Sequence, residues 1–147
     1  MSDWYLDYWK PANSAKSPAQ KDLNTMIMSS KSAQGQIRSL VRGVQEFGPH
    51  GYKMPNNENL NQGLYELRDT VNHFRYYYCE TDFCYRMPDG SRKMVLLMLL
   101  AEDDKDKQQM HIVKTRARMA SGIIVENLLN DDGLKCDCEE DADNECT

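Results

Sequence analysis

The 147-residue chain has no apolar run long enough to cross a membrane: its longest, Met94 to Ala101, is eight residues, against the roughly 18 to 20 a spanning helix needs. No transmembrane helix and no membrane partner are expected. The opening residues, Met1-Ser2-Asp3-Trp4-Tyr5, lack the basic and apolar regions of a secretory leader, so a cytoplasmic protein is the expectation. Cysteine is sparse and odd in number: Cys79, Cys84, Cys136, Cys138 and Cys146 would leave one thiol unpaired in any internal disulfide framework, and reduced thiols are the simpler reading. Cys136-Asp137-Cys138 with Cys146 lacks both Cys-x-x-Cys spacing and a fourth ligand, so no metal or other cofactor is expected. There is no internal repeat.

What is present fits one domain, with 40% hydrophobic and 28% charged residues and a polar mean hydropathy of −0.74. Such a chain folds around a modest core. Its net charge of −5 is unevenly spread: eight of the 23 acids and one of the 18 bases lie in Asp131 to Thr147, leaving 15 acids against 17 bases, a net of +2, before it. The division expected is a folded domain over 1–130 and an acidic tail over 131–147, disordered in isolation. Such a tail serves either to solvate the protein or to fold back over a basic groove and mask it. Anionic partners of the body stay open.

The aromatic and apolar stretch Trp4 to Trp9 reads as a strand closed by Lys10-Pro11. Ser17-Pro18-Ala19-Gln20 carries a capping hydroxyl and a proline at the first helical position, followed by Leu23, Met26 and Ile27. A second helix is capped by Ser32, carries Ile37, Leu40, Val41, Val44 and Phe47 on one stripe, and stops at Gly48-Pro49. Pro49 to Gly63 has no period and reads as a loop. Three strands follow, Leu64 to Arg68, Phe74 to Cys79 and Met94 to Leu100, with a turn at Met87-Pro88-Asp89-Gly90, as an antiparallel meander. A last helix spans about Gln108 to Leu129. The fold class expected is α+β: a small, mostly antiparallel twisted sheet with flanking helices, in the order strand, helix, helix, strand, strand, strand, helix.

That order, with Ser17-Pro18, Phe47-Gly48-Pro49, Gly63-Leu64-Tyr65-Glu66-Leu67-Arg68, Phe74-Arg75-Tyr76 and Met94-Val95-Leu96-Leu97, resembles the phage-derived branch of the RelE/HigB-like toxin superfamily over about residues 4 to 119. The resemblance implies a RelE-like fold and a metal-independent endoribonuclease (an mRNA interferase) that cleaves mRNA in the ribosomal A site, arrests translation and is held by a cognate antitoxin. In that family the 2′-hydroxyl attacks the neighbouring phosphate while basic and aromatic side chains position the RNA. Arg68 and Arg75 match the family's basic strand positions, and as planar forks they suit a phosphate. Each equally suits an ordinary ion pair with Glu66, Glu80 or Asp69.

His73, beside the arginine strand, is the candidate proton-transfer group, with His111 behind it. Lys105, Lys107, Arg116 and Arg118 would neutralise RNA phosphates, and Tyr76 would stack on a base, although a tyrosine run more often packs a core. The chain departs from its relatives after the last strand, where Glu102-Asp103-Asp104 replaces a run rich in lysine. Acids beside a phosphate site oppose RNA binding, so the alternative is a catalytically silent relative that binds and inhibits a host protein.

Overall fold

The computed structural model describes residues 4–11, 16–28, 30–53, 55–86, 92–102, 108–120, 123–125 and 139–145. Local chemistry starts the helices. Ser17 accepts the Gln20 amide at 3.1 Å and Pro18 occupies the first turn of α1 (Pro18–Ile27). The second helix, α2 (Lys31–Gly51), is capped by Ser30, which accepts the Ala33 amide, and not by Ser32 as expected. Both hydroxyls precede the same apolar stripe, and Ser30 is the one with an extended backbone that turns its oxygen onto the first turn. Ile37, Leu40, Val41 and Val44 are buried, as their spacing requires, whereas Phe47 is 56% exposed; the stripe ends one turn earlier than the sequence suggests.

The stop at Gly48-Pro49 takes the form of a break. Gly48 has φ 75° and interrupts α2, with one further turn beyond it. A Cβ at this position would lie 2.6 Å from Trp4 Nε1, so the residue must be glycine for both backbone angle and contact. Gly48→Ala is expected to destabilise the protein by about 2 kcal/mol or more, from left-handed strain and overpacking together. Thermal or urea denaturation measures this, and an unchanged midpoint would remove the constraint.

The remaining elements are β1 (Trp4–Lys10), β2 (Asn57–Asn59), β3 (Leu64–Asp69), β4 (Phe74–Arg86), β5 (Arg92–Glu102), α3 (Gln108–Ala120), β6 (Ile123–Val125) and β7 (Glu139–Glu145). The fold is α+β; among the described residues it has three helices and a mostly antiparallel sheet ordered β2-β3-β4-β5-β1-β6, in which β1 runs parallel to β5 and β7 pairs with β4. The expected meander is β3-β4-β5. Residues 87–91, which hold the expected turn between β4 and β5, lie outside the described residues.

Three expectations need correction. Within the supposed loop, β2 forms because the buried Asn57 side chain donates to the carbonyls of Pro49 and Tyr52 and accepts the Tyr78 hydroxyl. The last helix ends at Ala120, and the β-branched triplet Ile123-Ile124-Val125 pairs with Tyr8, Trp9 and Lys10 of β1, as branched side chains favour. Within the acidic tail, Glu139–Glu145 is a strand. It pairs with β4 between Phe83 and Arg86, beyond Cys79 where β3 ends, and so fills an edge whose backbone groups would otherwise lack partners.

Alternation sorts the central strands onto two faces. Tyr65 and Leu67 of β3, Tyr76 and Tyr78 of β4, and Leu96 and Met98 of β5 pack against Leu23 of α1 and Ile37, Leu40, Val41 and Val44 of α2. Leu64, Tyr77, Cys79, Leu97, Leu99 and Leu100 form a second core on the opposite face, against Ile112 and Met119 of α3. Cys79 is a buried free thiol, which burial pushes up to about 12, and Glu80 adds to that. It has no reactive character.

Candidate functional site

The face that carries the second core changes character toward one end. Period two places Glu66 and Arg68 of β3 on it, together with Arg75 and Tyr77 of β4 and Glu102 of β5. Arg68 lies directly opposite Arg75, which lies opposite Glu102. Like charges in a cross-strand pair repel, and buried Glu66 offsets this from between them. Arg68 Nε donates to Glu66 Oε1 at 2.9 Å, and Arg75 Nε lies 3.9 Å from the same oxygen. Glu58 of β2 adds a second carboxylate on Arg68 Nη2. Burial would lower the Arg68 guanidinium, but Glu66 and Glu58 outweigh it and raise it.

Arg75 is held differently. Its guanidinium bonds to the Tyr77 side chain, and its Nη1 is buried without an acceptor in hydrogen-bond geometry among the described residues. Arg75 also lines a cavity of about 500 Å³ with Glu58, Arg68, Thr70, His73 and Phe74. Asp69 shapes its rim: Oδ1 accepts the Val71 and Asn72 amides at 2.9 Å, and Oδ2 accepts the Asn72 side chain at 2.8 Å. This closes the β3–β4 turn and sets His73 at its end with φ 62°. The three candidates Arg68, Arg75 and His73 are thus brought to one cavity.

Sequence reasoning named Glu102 and His111 separately, and the structure brings them together. Glu102 is buried; it accepts the Tyr77 hydroxyl at 3.0 Å, and its second oxygen lies 2.7 Å from His111 Nδ1. Burial, then Glu102, pushes the Tyr77 hydroxyl upward, while the adjacent Arg75 partly opposes them. Glu102 therefore turns inward and lies against His111 at ion-pair distance, although His111 Nδ1 has no acceptor in hydrogen-bond geometry among the described residues; a buried carboxylate of this kind does not meet RNA at the surface. Asp103, Asp104, Lys105 and Lys107 lie outside the described residues.

Other expected contacts are placed elsewhere. Tyr76 is fully buried on the face covered by α1 and α2, so it has no surface to offer a base; Tyr77, two residues from Arg75, lies on the other face and is equally buried. Arg118 is committed to structure: it stacks 4.7 Å from the Trp9 ring centre, donates to the Leu99 carbonyl and lies 3.8 Å from Asp22, and burial lowers it. Arg116 ties α3 to the β2–β3 connection through Gln62 and the Leu60 carbonyl. The acidic strand β7 pairs with β4 eight or more residues beyond Arg75, about 25 Å along an extended chain, so this part of the tail does not mask the cavity. His50 lies on the other face, 3.2 Å from the Tyr65 hydroxyl and 3.4 Å from Glu80.

No protein-family model matches this chain, and no curated protein is significantly similar to it.

Proposed function

We propose that the Arg75 face binds a phosphodiester of RNA, and that the chain is a RelE-like, cytoplasmic endoribonuclease that cleaves mRNA in the ribosomal A site and arrests translation, under the control of a cognate antitoxin. The observation that carries this reading is one cavity lined by two guanidinium side chains, Arg68 and Arg75, together with His73: paired planar donors suit an anionic acceptor. The three-stranded meander with helices on both faces supports the RelE-like reading of the fold.

In this reading the 2′-oxygen attacks the adjacent phosphorus, the bond from phosphorus to the 5′-oxygen breaks, and a cyclic phosphate is left on the upstream fragment. Arg75 stabilises charge on the phosphate as it develops, which is where a fixed donor contributes most. His73, which lines the cavity, takes the 2′-hydroxyl proton, and the departing 5′-oxygen takes one from water. End-group analysis of the products tests this chemistry. A 2′,3′-cyclic phosphate and a 5′-hydroxyl are expected, and a 5′-phosphate product would overturn it.

A second reading, a catalytically silent relative that binds and inhibits a host protein, draws on Arg68, whose fork is already occupied by Glu58 and Glu66.

A further inference from the structure

Glu58 and Glu66 stand directly opposite one another across β2 and β3, a position in which two carboxylates repel. One guanidinium holds both. The two acids differ in how firmly they are held: the Glu66 side chain is wholly buried, whereas that of Glu58 is 36% exposed and lines the cavity that Arg75 also lines. β2 is three residues long and forms the edge of the sheet. A half-exposed carboxylate on a short edge strand recovers water when it leaves its partner, and a buried one does not.

We infer that Glu58 is a built-in competitor of the anionic ligand: its carboxylate occupies the place on Arg68 that a phosphate group takes, and binding displaces it. The inference rests on the anion-binding reading of this face and adds how the site is held closed. A phosphate oxygen accepts from a guanidinium as a carboxylate oxygen does, so the exchange leaves the Arg68 donors satisfied while Glu66 keeps its own bond. Two effects weaken the ligand. The Arg68–Glu58 pair must open, and the displaced Glu58 remains near the incoming phosphate as a repelling charge. Neutralising Glu58 removes both, and a cationic group on a partner that drew Glu58 away would open the site in the same manner.

The test uses the full chain at low salt, with inorganic phosphate and a short single-stranded RNA as probes, and compares wild type, Glu58→Gln and Arg75→Gln by calorimetry or NMR titration. Glu58→Gln is expected to bind both probes about tenfold more tightly, and Arg75→Gln more weakly than wild type. Glu58→Asp, which keeps the charge but shortens its reach by one methylene, is expected to fall between wild type and Glu58→Gln, and it serves alone if Glu58→Gln does not fold. Should Glu58→Gln bind no tighter than wild type while Arg75→Gln still binds more weakly, the competitor role is overturned and the anion site stands. If none of the proteins binds either probe, both are overturned.

Discussion

Replacing Arg68 by alanine will cost the fold about 3 kcal/mol, because it strands a carboxylate that water cannot reach. Glu66 is fully buried, faces Glu58 across the strand pair, and would lose its 2.9 Å bond to Arg68, with the Arg75 guanidinium 3.9 Å away. For a chain of this size such a loss lowers the melting temperature by about 10 °C. The cause is separable: adding Glu66→Gln to Arg68→Ala removes the uncompensated charge and should restore a large part of the loss, which calorimetry or a thermal melt followed by circular dichroism would measure. A single Arg68→Ala variant that melts with the wild type would mean that the charge is relieved some other way. Loss of function in that variant alone is therefore poor evidence for a role of Arg68 in binding.

Arg75 is the sharper probe. Its loss removes one side-chain bond, to Tyr77, while Glu66 retains the shorter bond to Arg68, so Arg75→Gln should cost about 1 kcal/mol in stability. Its effect on cleavage is expected to be far larger, about 10²- to 10³-fold, the range for removing one donor from a developing oxyanion. Arg75→Lys should rescue little, because an ammonium is a point charge and lacks the planar fork. Single-turnover cleavage measured beside a melting curve for each variant decides this. Near-normal cleavage by a folded Arg75→Gln would remove the phosphate role.

The elements that were legible in the sequence are those specified by neighbours. The Ser17-Pro18 start, the Ile37 to Val44 stripe and the alternation of β3 each depend on residues within a turn or two, and they stand as expected. The missed elements depend on distant partners. Asn57 makes β2 by reaching Pro49, Tyr52 and Tyr78, and β7 pairs with residues more than fifty positions earlier; neither leaves a periodic trace. At the site, Arg68 and Arg75 were named through the family resemblance, with Glu66 as one of three possible partners; period two, which puts Glu66 and Arg68 on one face, would have selected it. The same rule applied to Arg75 names Tyr77 and not Tyr76, so that signal was present. No local signal links Glu102 to His111, since a strand end and a helix meet there only in the folded chain. Glu102 looked like part of a charge reversal because sequence order does not tell an inward carboxylate from an outward one.

The most direct test of the Arg75 face as an RNA-cleaving site is to add wild-type protein and Arg75→Gln to a reconstituted translation system and map mRNA 5′ ends, with and without ribosomes. The account predicts cuts within codons that require ribosomes, made by the wild type and lost in the folded Arg75→Gln protein. An absence of cuts from folded wild-type protein, or an unchanged cut pattern from Arg75→Gln, would contradict it.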